Sequence, residues 1–441
     1  MTSGRTRPVH TVWSFALARG VLAFLAVTGV GIVVALAASV AGLGLPIGDV
    51  VRVGLLYLGP FHHVPVVVEG ELDLTALPLP NLPPSGVTTI EVGIALLSVT
   101  TLAIWLLFGS GRAVADRAGG GLGDRILAGT LVAPSYAMPV LLVAILVEIE
   151  EPVRLGAFVS GSIGVRMAPW QALLFPFGIA AIAGAAGGLW SWCRDHACER
   201  RARTLEAATV GGLRMFALAV LLSFAGLFVA GVVQPDEVAA VLTPSTARYY
   251  RAVFERPGAG AVILAHHLAA APNEALWTLV PALGRCDVVR GGPEADLLCY
   301  GRFPHGSERM LEPLLSGVPV PPGRPGVEYR RAPAGSFLFL LVPAVATVLG
   351  GRAAARRRGV AGRQAMPIGA ASGLVFGGLV GAASVLALVT VAYGSTLVEG
   401  SGGSLLLGPE PLGGAIFAGL WGVAGGAIGA ATVGRQTPAS R

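Results

Sequence analysis

The chain has no lysine: all 31 of its basic side chains are arginine, which fits a GC-rich coding sequence. Charged residues of both signs together reach only 13%, about half of the roughly 25% usual in a soluble domain. That shortage excludes an ordinary soluble globular protein. Cysteine is also scarce, with four residues in two widely separated pairs. There is no glycine-rich phosphate loop, no pair of acids in a catalytic context and no Ser–His–Asp signature, which argues against an ATPase and against most soluble-type enzymology. No basic stripe interleaved with aromatics is present, so nucleic-acid binding is not expected. No cofactor or metal is expected either.

What is present is apolar sequence. Hydrophobic residues make up 54% of the chain, and the apolar runs recur at lengths near 20 residues or more, enough for a helix to cross a bilayer. The expected fold is an all-α polytopic membrane protein with about eight transmembrane helices plus one broken segment. The spans fall at about Val21–Leu43, Val87–Phe108, Ile126–Ile149, Pro169–Trp192, Ala208–Val233, Phe337–Leu349 with its flanks, Pro367–Tyr393 and Leu412–Val433. Pro134 and Pro139 should kink the third. Val21–Leu45 is too long for a signal-peptide core and lacks a clear cleavage site, so it reads as an uncleaved first span. Arginine clusters at Arg5–Arg19, Arg112–Arg125, Arg194–Arg203 and Arg352–Arg363 mark inner ends by the positive-inside rule, with both termini cytoplasmic. The stretch Pro46–Ser85 is broken at Gly59–Pro60 and reads as a dipping helix followed by an extended outer loop. ARYYRAVFER, ahead of Gly258, suggests an amphipathic surface helix.

Gly258–Gly284 decides the topology. It is apolar yet carries His266, His267, Pro272, Asn273, Glu274 and Trp277. Polar groups at membrane depth are costly and mark cavities or helix contacts. The arginine pattern puts both flanks of this segment outside, which predicts a re-entrant hairpin turning at Ala271–Asn273. A plain kinked span is the alternative. Asn273 and Glu274 would then cap the second half-helix.

The spans divide into two halves, 1–205 and 206–441, with similar element order. LFGSGRAVADR sits where VLGGRAAARRR sits, AIAGAAGGLW where GVAGGAIGAA sits, and GLLYLGPFHHVPV where VILAHHLAAAPNEALW sits. A parallel repeat would explain this; chance similarity in Gly/Ala-rich text is the other reading. In a repeat, paired broken elements point to a site. His62, His63, His266, His267, Asn273 and Glu274 would then approach one outer vestibule.

Small residues at four-residue spacing form packing stripes: Gly373, Gly377 and Gly381 on one span, Gly414, Ala418, Gly422, Gly426 and Ala430 on another, and Ala180, Gly184 and Gly188 on a third. Cys286 and Cys299 lie in the expected outer loop, where a disulfide is reasonable; Cys193 and Cys198 lie on the inner side, where free thiols are expected. Adjacent histidines point about 100° apart on a helix and do not make a zinc site by themselves.

At APNEALWTLVPALG, carrying Pro272, Asn273, Trp277 and Gly284, the chain resembles the PerM-like cell-division membrane proteins of actinobacteria. Weaker similarity runs through LLFGSGRAVADR and PWQALLFPFGIAAIAGAAGGL. The loop from Cys286 to Cys299 and the glutamate at Glu274 depart from that pattern. The resemblance implies a non-catalytic plasma-membrane protein that supports division or envelope integrity through partner membrane proteins. The alternatives are a transporter with its pathway at the broken elements, and an intramembrane lipid-modifying enzyme.

Overall fold

A computed structural model describes residues 9–40, 46–73, 85–155, 159–196, 200–233, 259–290, 295–299, 302–305, 328–331, 338–396 and 402–434. The protein is a mostly helical, multi-pass membrane protein. Among the described residues, eight helices are long and apolar enough to cross a membrane. The chain forms two compact units. One comprises residues 1–196 with 257–269 and 389–405; the other comprises 197–256, 270–388 and 406–441.

In the first unit, α1 (Val9–Ala38) is followed by the short helices α2 (Ile47–Leu56) and α3 (Leu58–Phe61) and the strands β1 (Val66–Asp73) and β2 (Ser85–Gly93). Then come α4 (Leu97–Ala118), α5 (Leu122–Thr130), α6 (Val132–Leu146), β3 (Glu148–Leu155), β4 (Val159–Met167) and α7 (Pro169–Asp195). The second half begins with α8 (Arg200–Val233) and α9 (Ala259–Ala282). It continues with β5 (Cys286–Arg290), β6 (Ala295–Cys299), β7 (Arg302–His305) and β8 (Glu328–Arg331). It ends with α10 (Leu341–Arg358), α11 (Met366–Ala387), β9 (Val389–Ser395), β10 (Gly402–Pro409) and α12 (Pro411–Ala431).

The strands correct the reading of the inter-span segments as loops. They also correct the bounds of spans: Val389–Tyr393, expected at the end of the Pro367–Tyr393 span, belongs to β9, and the start of the Val87–Phe108 span is corrected too. Residues 87–93 belong to β2, not to a helix; the span starts ten residues later, at Leu97. VTTIEV is rich in β-branched residues, which favour a pleated, half-buried surface, and its apolar content alone suggested a membrane helix. Helix α4 instead extends through the arginine-bearing GSGRAVADRA. The break in the third span falls at Leu131, between α5 and α6. Pro134 explains it, because its ring clashes with the carbonyl of Thr130 and it offers no N–H.

In the first unit, α7 packs against α4, α5 and α6, and α1 against α2, α4 and α6. The seam holds Ala16, Leu107, Val132, Tyr136 and Ala180. Its antiparallel strands run in the order β3-β4-β1-β2-β9. In the second unit, α12 packs against α10 and α11, and α8 against α10 and α11. There β10 pairs with β5 from Leu406 to Pro409, and the order continues β6-β7-β8.

The two halves share details that follow element order. α4 ends at Gly119 (φ 68°) and α10 at Gly359 (φ 72°), both in the positive-φ region that suits a glycine helix terminus. α7 and α12 both start with proline in the first turn, preceded by an extended residue. In the first half, β1 pairs with β4, the strand that precedes α7. In the second, β5 pairs with β10, the strand that precedes α12. Ahead of β1, Val64 N–H donates to Gly59 O at 3.0 Å; ahead of β5, Arg285 N–H donates to Val280 O at 3.3 Å. The residue before each donor, His63 (φ 61°) and Gly284 (φ 99°), has positive φ.

Candidate functional site

The clearest polar site in the first unit lies where α3 meets β1. Pro60 and the short α3 end the dipping segment, and the chain turns at His62–His63. His62 is fully buried. Its Nδ1 lies 2.7 Å from Leu58 O and its Nε2 lies 2.6 Å from Tyr136 Oη. A carbonyl only accepts, so Nδ1 carries the proton and Nε2 accepts from the tyrosine hydroxyl. Burial lowers the His62 pKa from 6.5 to about 4, so the ring is neutral. Thr100 Oγ1 donates to Phe61 O at 2.8 Å, tying α4 to the same turn. His63 turns the other way, its ring 5.7 Å from that of Phe175. Desolvation lowers its pKa too. Sequence reasoning singled out His62 and His63 but missed Tyr136, which stands in an apolar run with nothing local to mark it.

Helix α9, Ala259–Ala282, runs without interruption through Pro272. The expected turn at Ala271–Asn273 is absent. Pro272 removes one hydrogen bond, and the remaining ladder carries the helix on. Asn273 and Glu274 are therefore interior helix positions and do not cap a half-helix. Asn273 is buried, and Pro272 and Glu274 are half-buried. Trp277 Nε1 donates to Ala387 O, the last residue of α11, at 3.3 Å. His266 and His267 lie on α9, and their side chains fall outside the described residues, as does ARYYRAVFER.

Beyond α9, the chain turns at Gly284 into β5. Arg285 binds Glu410, the residue before α12, through Nε at 2.9 Å and through Nη2, and its guanidinium lies 5.5 Å from the Phe417 ring centre. Cys286 is disulfide-bonded, and the residue facing it across the β5–β6 ladder is Cys299. Asp287 is wholly buried, and neither carboxyl oxygen has a hydrogen-bond partner. Burial pushes its pKa well above the ordinary carboxylate range. Neither the Arg285–Glu410 pair nor the burial of Asp287 was read from the sequence, because 125 residues separate the first pair.

The small-residue stripes are close backbone seams. A Cβ on Gly373 would overlap Gly422, and one on Gly426 would overlap Gly369. Gly377 lies against Ala415 O and Gly419, Gly381 against Ala415, and Gly414 against Val280. In the first unit, Gly184 faces both Gly111 and Gly129, and Gly188 lies against the Arg125 carbonyl. Gly111, Gly129 and Gly369 were not picked out from the sequence. At the arginine-rich end of that unit, Arg125 is buried, donating to Ser191 Oγ at 2.9 Å and pairing with Asp195 at 2.6 Å. Ser191 donates in turn to Asp116, which also holds Arg194 at 3.0 Å. This network clamps the ends of α4, α5 and α7. Cys193 is buried; Cys198 lies outside the described residues.

Among the described residues, no group of three or more His, Cys, Asp or Glu side chains is arranged to hold a metal ion. No family model, curated protein or solved structure matches the chain.

Proposed function

We propose that this is an integral plasma-membrane accessory or scaffold protein that supports cell division or envelope integrity without catalysis. The observation that carries the reading is the engagement of polar residues that a transport pathway would have left open. His62 uses both ring nitrogens in bonds to Leu58 and Tyr136. Trp277 bonds the end of α11. These are ties between helices within each unit, and helices fixed in this way suit partner capture. By the positive-inside rule the arginine-rich helix ends face the cytoplasm, with both termini. The Pro272–Trp277 resemblance to PerM-like proteins points to division components as the partners.

The two halves are read as copies of one unit in parallel orientation. Their support is the shared element order, the β1–β4 and β5–β10 pairings and the matching turns at His63 and Gly284.

Imaging of a functional fluorescent fusion, with depletion of the protein in its native host, tests the functional reading. Enrichment at division sites, with filamentous or bulging cells on depletion, is expected. Even membrane distribution with normal division would overturn it. Uptake and proton coupling in vesicles would then be the next measurements.

A further inference from the structure

Two arginines of the first unit meet at one aromatic ring. The guanidinium of Arg19 lies 5.9 Å from the Phe15 ring centre, and that of Arg117 lies 4.7 Å from it. Both are within the reach of a cation–π contact. Phe15 and Arg19 stand about one turn apart on α1. Helix side chains lean toward the N-terminus, so Arg19 reaches back over Phe15. Arg117 comes from the last turn of α4, which packs against α1.

The acids at this arginine-rich end are engaged elsewhere. Asp116 holds Arg194 at 3.0 Å and Arg112 at 3.8 Å. Asp195 holds Arg125 at 2.6 Å and Arg194 at 3.4 Å. Asp124 accepts from Gly121 N–H at 3.0 Å. Among the described residues, neither Arg19 nor Arg117 has a carboxylate in ion-pair reach. The Nε of Arg19 is moreover buried without a hydrogen-bond partner. Two like charges at one ring repel, and a guanidinium on a spanning helix is costly unless it is paired. An anion that bridges the two groups relieves both costs. The planar fork of donors on a guanidinium matches the oxygens of a phosphate.

The surroundings favour a lipid as the source of that phosphate. Arg117 is exposed and Arg19 half-buried, so the pair is open on one side. Leu22, three residues beyond Arg19 and hence on the same helix face, is exposed. Trp13, close to the same level of α1, is exposed as well, and tryptophan settles at headgroup depth. A phosphate bound here thus has apolar surface beneath it for an acyl chain to cover.

We propose that Arg19 and Arg117 form a binding site for the phosphate of an anionic phospholipid, in the leaflet on which the arginine-rich helix ends lie. The phosphate bridges the two guanidinium groups beside Phe15, and an acyl chain runs along α1 past Leu22. The bound lipid ties α1 to the end of α4. The site does not rest on the scaffold reading.

The test is native mass spectrometry of the full-length chain released from an uncharged detergent, comparing phosphatidylglycerol with phosphatidylcholine of the same acyl chains. The wild-type chain should prefer phosphatidylglycerol. Arg19→Gln and Arg117→Gln should each lower that preference about fivefold, the change that about 1 kcal/mol per basic residue at an anionic surface corresponds to. Arg112→Gln removes the same charge from the same end, but from a residue that already has Asp116, and should keep the preference. Arg117→Lys leaves a cation at the ring and should retain most of it, which separates loss of charge from loss of fold. Inorganic phosphate in large excess should leave the lipid bound. Equal preference in the wild-type and both glutamine variants would overturn the proposal. So would an equal loss in Arg112→Gln or in Arg117→Lys. Displacement of the lipid by inorganic phosphate would assign the site to a soluble anion and overturn the lipid.

Discussion

At the scale of single residues, His62 ties pH to stability. Its folded pKa lies near 4, below the unfolded value of 6.5. Between these values the unfolded chain binds the extra proton, so stability is present above about pH 6.5 and is lost as pH falls toward 4. The shift corresponds to about 3 kcal/mol. Thermal melts in detergent should therefore fall between pH 7 and pH 5, and the fall should shrink in His62→Gln. Tyr136→Phe leaves the buried Nε2 acceptor without a donor, at a cost of about 1–3 kcal/mol. Its melting temperature at pH 7 should drop accordingly. The histidine pair was legible in the sequence because ionisable residues are rare in apolar text. The tyrosine was not, since only folding brings residues 74 positions apart together.

Elements show where the sequence spoke and where it was silent. The glycine spacing on α11 and α12 announced a seam, because small residues let helix backbones approach in lipid. Gly373→Ala should destabilise by about 1–3 kcal/mol through overpacking. Gly378, five residues on, has nothing near an added Cβ, so Gly378→Ala should be neutral or gain up to about 1 kcal/mol in helix propensity. Chemical denaturation of the pair in one detergent separates these outcomes. The strands were silent for a different reason. VTTIEV in β2 and VTVAY in β9 are as apolar as the spans beside them, and hydropathy does not distinguish a half-buried strand from the end of a helix. The disulfide at Cys286 closes a short hairpin, and Cys286→Ser should cost about 3 kcal/mol by the loop-entropy account. Reduction of the wild-type chain should lower its melting temperature to a similar degree.

For the whole molecule, composition alone was enough to read a multi-pass helical membrane protein, since eight apolar runs of spanning length leave few other folds. The turn expected at Pro272 was the element most misjudged. A single proline weakens a helix locally, and neighbouring turns and tertiary packing outweighed it in α9. The functional account rests on polar residues that tie helices together in place of lining a path. Complementation of a depletion strain by His62→Gln, Glu274→Gln and Trp277→Phe, each normalised to its folded abundance in the membrane, tests this most directly. The account predicts that rescue of division follows the amount of folded protein for every variant. A variant present at wild-type abundance, folded, and unable to rescue would contradict it and favour a pathway through those residues.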